Sequence, residues 1–305
     1  MKLCRFDEDR LGLVTEDALA VIDVTPALAA LPALKWPLPH GDPLIAHLDE
    51  LRPRIEALGL AGPRRALDTI WLDSPVVTPS KIVAAPVNYA RHLDEARADK
   101  GIHFGVVPRR IDEYGLFLKA ASSLVGPSHG VYLPPTDRRV DHELELAVVI
   151  GRGGRNISRA RALQHVAGYA MALDMTLRGE EDRSWRKSRD SFAVLGPWLV
   201  TADEIADPGA IDLSLVIGQQ SRQVGHTRDL IFDVPRLIEY ASSMYSLHPG
   251  DIIMTGTPEG VGPVVVGDVM NCTMSHIGSM TVAVHAIPYP ASSSRPLAIE
   301  ERRDA

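Results

Sequence analysis

From Lys81 to the neighbourhood of His285 the chain returns at short intervals to brief aliphatic and β-branched runs separated by glycine, proline and polar residues. Such runs occupy residues 82–85, 116–119, 131–133, 144–150, 198–200, 213–217, 252–255 and 281–285. A doubly wound α/β fold needs a crossover of about a dozen residues or more, usually a helix, between successive strands. These runs are too frequent and too evenly spaced for that, so the pattern predicts a mainly β fold with some α. Two segments read as helices. Ser158 can cap one running through Ala160, Leu163, Val166 and Ala167. Asp233 can cap another with Leu237, Ile238, Ala241, Met244 and Tyr245 along one face, and His248-Pro249-Gly250 as its stop.

Ahead of this region, residues 3–24 read as a small antiparallel meander, residues 44–60 carry apolar positions at helical spacing, and residues 69–72 read as a further strand. The expected organisation is a small N-terminal α+β domain over 1–77, a β-rich domain over 78–287 and a flexible C-terminal tail over 288–305. Aromatic residues make up only 5% of the chain, so the core must be aliphatic. The 39 acidic residues exceed the 32 Lys and Arg by seven, which argues against a nucleic-acid partner. Cys4 and Cys272 lie too far apart in sequence for a metal-type spacing and form no disulfide framework, which suits a reducing compartment. The first residues carry no apolar signal-type stretch, and no run of about 18 apolar residues occurs, so the expected location is cytoplasmic with no membrane partner.

The segment most suggestive of chemistry is Asp141-His142-Glu143-Leu144-Glu145-Leu146-Ala147-Val148-Val149-Ile150-Gly151. In a strand, residues two apart share a face, so Glu143 and Glu145 project together while Leu144 and Leu146 point into apolar packing. Neighbouring carboxylates that approach an interior need a cation or a shared proton; an exposed alternating strand is the plain alternative. Asp174 closes the apolar run 166–173, an expensive place for a lone carboxylate unless it is paired, bound to a metal or used as a cap. Three carboxylates without thiolates form a hard ligand set suited to Mg²⁺ or Mn²⁺ and disfavour zinc. His92 and Glu95, three apart, can pair on one helical face as a base and its orienting carboxylate, although the same spacing also describes a surface salt bridge.

Read in order, Val87 to Glu95, Phe117-Leu118-Lys119, Asp141 to Gly151, Gly196-Pro197-Trp198-Leu199-Val200 and Thr255-Gly256-Thr257-Pro258-Glu259-Gly260-Val261-Gly262 resemble the fumarylacetoacetate hydrolase family. The resemblance spans about Lys81 to Ala286. It implies a curled mixed β-roll, preceded in some members by a small N-terminal domain, usually a homodimer, that binds Mg²⁺ or Mn²⁺ and acts on small 2-oxo acids. On the family pattern Glu143, Glu145 and Asp174 match the metal ligands, and His92 and Glu95 the water-activating dyad. The charged stretch between Asp94 and Glu113, broken by Gly101, Gly105 and Pro108, matches a lid. Lys187 matches a catalytic lysine aimed at the substrate, while Lys119 and Arg178 match substrate-side cations. Thr257, in the glycine-rich turn, can offer its hydroxyl and backbone N–H to a substrate carboxylate.

The chain departs from the pattern around the expected pocket. Gly179-Glu180-Glu181 follows Arg178 where Asp and then Gln are frequent, and Arg189, Ala193, Val194 and Pro86 also replace more usual residues. The ligand and dyad positions are intact. The resemblance therefore implies a metal-dependent hydrolase that cleaves a C–C bond in a 2,4-dioxo acid of the acylpyruvate or fumarylpyruvate type, in catabolism such as that of aromatic compounds. Rival readings on the same site are a decarboxylase or an enol-keto isomerase of 2-oxo diacids, and a binding protein that has lost turnover.

Overall fold

The computed structural model describes residues 1–286, so the expected tail over 288–305 lies outside the described residues. Strands dominate, as the spacing predicts. Among the described residues the largest sheet has twelve strands, and its centre is Leu144–Ile150 flanked by Val166–Asp174 and Ile252–Met254. Most of its ladders are antiparallel, but Ile82–Ala84 joins Ile252–Met254 in parallel, which makes the sheet mixed. A five-stranded sheet, containing Asp212–Ile217, Gln220–His226 and Val269–Met274, packs against it. Neither closes into a barrel.

Every residue of Leu144–Ile150 is buried, which marks a strand covered on both faces. Leu144, Leu146, Val148 and Ile150 enter one apolar cluster, whereas Ala147 and Val149 enter a second with Ala170, Ala172, Ala193 and Met254. The second face is built largely of small residues, and Glu143, Glu145 and Asp174 stand at one end of it.

One expectation changes. The helix expected from Ser158 through Ala167 is a 3-10 turn, Arg159–His165, and Val166 already begins the strand Val166–Asp174; the Ser158 side chain caps nothing. Residues 166–174 bury both faces while pairing with two neighbouring strands, and this ladder outweighs the local helical spacing. The N-terminal antiparallel meander forms as expected, from Lys2–Phe6, Arg10–Val14 and Ala20–Asp23, and it is continuous with the large sheet. Its first strand, Lys2–Phe6, pairs with Ala193–Thr201, so the large sheet runs across the expected boundary at residue 77. Asp233 does cap the helix Val234–Met244, accepting from the Arg236 N–H, and Tyr245 falls just beyond its end.

Candidate active site

Strand register assembles the acids. Leu144 lies opposite Leu173 and Glu145 opposite Ala172, and the Asp174 N–H donates to the Glu143 carbonyl at 2.9 Å. Period-two alternation then brings Glu143 and Glu145 from one strand, and Asp174 from the next, to the same face. Carboxylate oxygens of the three lie within 4.8 Å of one another, and all three side chains are buried.

Cations surround them closely. The Lys187 ammonium donates to Glu143 Oε2 and Asp174 Oδ2, both at 2.7 Å, and to Thr176 Oγ1 at 2.6 Å. The Lys119 ammonium reaches Asp174 Oδ1 and the Phe192 carbonyl, and Arg178 bridges Asp141 and Glu143 at 2.8 and 2.9 Å. Burial pushes the Glu143 carboxyl up, but the Lys187 and Arg178 charges outweigh it and hold the group well below the usual carboxylate range. Glu145 differs. It accepts from the Gly256 N–H at 2.7 Å and has no cation in contact among the described residues, so burial, then the Asp174 and Glu143 charges, raise it. Burial likewise lowers Lys119, against the pull of Asp174. Three hard oxygen donors, one of them with no cation in contact among the described residues, fit a divalent cation of the Mg²⁺ or Mn²⁺ kind.

His92 and Glu95 sit in the helix Ala90–Ala98. His92 Nδ1 lies 2.9 Å from Glu95 Oε2, while Glu95 Oε1 accepts from the Gly260 N–H at 2.9 Å. The pair is therefore held to the glycine-rich turn. With Nδ1 engaged, Nε2 is the ring nitrogen left to exchange a proton in the pocket that His92 lines. That cavity, of about 260 Å³, is lined by His92, Glu143, Glu145, Asp174, Arg178, Lys187 and Thr257, by Ile102, Phe104 and Val106 of the expected lid, and by Tyr114 just after it. Within that segment Lys100–His103 and Ile111–Tyr114 are short helices, and Arg139 anchors its start by bridging Asp99 and Asp141 at 2.7 and 2.6 Å.

Thr257 needs correcting. Its hydroxyl donates to the Leu144 carbonyl at 2.9 Å and accepts from Gln223 Nε2 at 2.7 Å, so it is committed to the scaffold, and only the backbone N–H remains for a ligand. Lys119 and Lys187 are likewise engaged with the acids rather than pointing free into the cavity.

Gln223 carries no signal in the sequence. From the five-stranded sheet, its Oε1 accepts from the Leu144 N–H at 3.0 Å and lies 3.1 Å from His142 Nδ1, while its Nε2 donates to Thr257 Oγ1 and the Pro258 carbonyl. It thereby ties the strand between Glu143 and Glu145 to the Thr257 turn. Gln223→Leu should lower unfolding stability by about 2–4 kcal/mol, because several buried polar groups lose their partner. Denaturant titration checks this, and a loss under about 1 kcal/mol would mean the groups find other partners.

The turn itself requires glycine at 256, where φ is +96° and an added Cβ would lie 2.7 Å from Asn88 Cβ. Buried Asn88 closes that contact by donating to the Phe232 and Thr255 carbonyls and accepting from the Phe232 N–H.

Residues 81–285 match the model of the fumarylacetoacetate (FAA) hydrolase C-terminal domain. The chain belongs to this family. It is 54% identical to a maleylpyruvate hydrolase of Aquipseudomonas alcaligenes, over 94% of this chain and all of that one. It also resembles the crystal structure of maleylpyruvate hydrolase from Sphingobium sp. SYK-6 in complex with manganese(II) and pyruvate, with a TM-score of 0.79, 41% identity and 94% and 99% of the two chains covered. A probable 2-hydroxyhepta-2,4-diene-1,7-dioate isomerase from Mycobacterium abscessus matches with a TM-score of 0.75 at 29% identity, over 94% of this chain and 98% of that one. The family's mixed β fold is the fold of this chain.

Gly179 lies under an ion pair whose two solvent-accessible side chains could shift to admit a larger residue, so sterics alone do not require glycine there. A Cβ there would lie 1.9 Å from Arg138 Nη2 and 2.4 Å from Glu181 Oε2. Arg138 holds Glu181 through two hydrogen bonds, of 2.8 and 2.7 Å, so the carboxylate that stands where the family often has Gln is neutralised by an arginine.

Proposed function

We propose that this chain is a metal-dependent hydrolase of 2,4-dioxo acids of the acylpyruvate type, with Glu143, Glu145 and Asp174 as metal ligands. The observation that carries the reading is the coexistence, in one cavity, of a buried three-carboxylate cluster and an assembled His92–Glu95 pair. Its support includes 54% identity over nearly the whole chain to a protein named as such a hydrolase. A bound divalent cation would supply Lewis acidity and charge neutralisation for the adjacent 2-oxo and carboxylate oxygens of the substrate.

The chain's own residues then divide the work. His92 takes a proton from water through Nε2, and Glu95 orients the ring and stabilises the imidazolium. The water oxygen adds to the distal acyl carbon, and the bond between that carbon and the neighbouring CH₂ breaks. The electron pair passes to the pyruvate fragment as its enolate. The proton held by the His92 imidazolium passes to the former CH₂ carbon and completes pyruvate, which returns the imidazole to its neutral form, and the other product is a carboxylic acid. Through Nη1, which makes no hydrogen bond among the described residues, Arg178 stabilises the negative charge that develops, and the Thr257 N–H faces the same cavity, while Lys187 and Lys119 hold Glu143 and Asp174 in place from behind.

The test is product analysis in ¹⁸O-water with the Mn²⁺-loaded protein. Label in the released acid, with no CO₂ evolved, is expected. CO₂ release, or an ultraviolet change without bond cleavage, would transfer the site to the decarboxylase or isomerase reading. We further infer a cytoplasmic homodimer. The two cysteines are both buried and unpaired, in keeping with a reducing compartment, and the family resemblance implies the dimer. Sedimentation at micromolar concentration tests the dimer, and a monomer would exclude it.

A further inference from the structure

The cations around the acids are all neutralised by carboxylates: Lys187 by Glu143 and Asp174, Lys119 by Asp174, and Arg178 by Asp141 and Glu143. Two arginines of the same cavity are not. Arg186, in the helix Arg183–Lys187, donates Nε to the Glu181 carbonyl at 2.8 Å and Nη1 to the Leu177 carbonyl at 3.1 Å, and Nη2 makes no hydrogen bond among the described residues. Arg183 lies with its guanidinium 3.9 Å from the ring centroid of Tyr114, which also lines the cavity. Neither forms an ion pair with any described carboxylate. The nearby acids are occupied or stand apart, since Glu181 serves Arg138, Asp182 caps the Ser184 N–H and Glu180 pairs with neither arginine.

We propose that Arg186, assisted by Arg183, is the specificity-determining residue that receives the distal carboxylate of a dicarboxylic substrate. This rests on the hydrolase reading above and adds the residue that selects for the second carboxylate. Two backbone carbonyls fix the guanidinium plane and leave one edge presented to the cavity, the arrangement that favours a planar carboxylate. Burial and the neighbouring Arg178 charge push Arg186 below its ordinary pKa, a penalty that an incoming anion would relieve. The nine-residue step from Arg178 to Lys187, through Gly179-Glu180-Glu181, places this helix at the cavity wall.

The experiment compares fumarylpyruvate, which ends in a carboxylate, with acetylpyruvate, which ends in a methyl group, using Mn²⁺-loaded wild type and Arg186→Ala. Wild type should show kcat/KM higher for fumarylpyruvate by about 30-fold or more, the effect of a desolvated charge pair. R186A should lose that preference, through KM, while acetylpyruvate turnover changes by less than about threefold. Equal kcat/KM values for the two substrates in wild type overturn the assignment whatever the variant does. A preference that survives R186A also overturns it. If wild type turns over neither substrate, the hydrolase reading fails on its own. Calorimetric binding of the same two acids then decides the arginine: tighter binding of the diacid in wild type and not in R186A upholds it, and equal binding overturns it.

Discussion

Glu145→Gln and Asp174→Asn should each abolish Mn²⁺ binding and, with it, turnover, yet they should move the stability of the metal-free protein in opposite senses. Glu145 is a buried acid next to two others and lacks a cation of its own, so its amide removes a repelling charge and leaves stability unchanged or higher. Asp174 is the counterion of both Lys119 and Lys187. Removing its charge leaves two buried ammonium groups underpaired, a loss on the order of 3–5 kcal/mol. Manganese electron paramagnetic resonance or calorimetry reads the binding, and thermal melting of the metal-free proteins reads the stability. Undiminished Mn²⁺ affinity in both variants would remove these residues from the ligand set. Equal melting temperatures would show that the two acids share one electrostatic environment, against the asymmetry described above.

His92→Ala separates the cation from the base. Its imidazole contacts Glu95 and touches none of the three acids through a hydrogen bond, so Mn²⁺ affinity should stay within about threefold of wild type while kcat falls by about 10²- to 10⁴-fold, the usual worth of a positioned general base. Glu95→Gln should fall less, because the ring remains and one side of the turn contact can persist. Steady-state turnover beside calorimetric Mn²⁺ titration checks both. A kcat for H92A within a factor of about three of wild type would mean that His92 is not the base and that the water proton leaves by another route.

How much of this was legible differs from element to element. The strand Leu144–Ile150 and the capped helix Val234–Met244 follow from local pattern, because burial of a face imposes its period on the residues that form it. Residues 159–167 show the limit. Their apolar spacing suits a helix, but residues 166–174 gain two ladders and burial on both faces, which no local spacing encodes. Gln223 is harder still. On its strand Gln223 is buried while Val224 beside it is exposed, so an alternation read by polarity would turn the strand the wrong way. The inward amide is stable only because Leu144, Thr257 and Pro258, from two other segments, supply its partners.

By itself the sequence determined the mainly β class, from the recurrence of its apolar runs, and through its resemblance the family and the candidate acids and His–Glu pair; period-two and i, i+3 spacing set Glu143 beside Glu145 and His92 beside Glu95, whereas Asp174 joins them only through strand register. Tertiary structure alone decided which charges are spent and which are free. Ion pairs such as Lys119–Asp174 and Arg138–Glu181 join residues 55 and 43 positions apart, and strand order, not spacing, brings them into contact. The same order fused the N-terminal meander to the large sheet, committed the Thr257 hydroxyl to the scaffold and left Arg186 without a carboxylate. A cation's function depends on its unpaired charge, and pairing is a property of the packed chain.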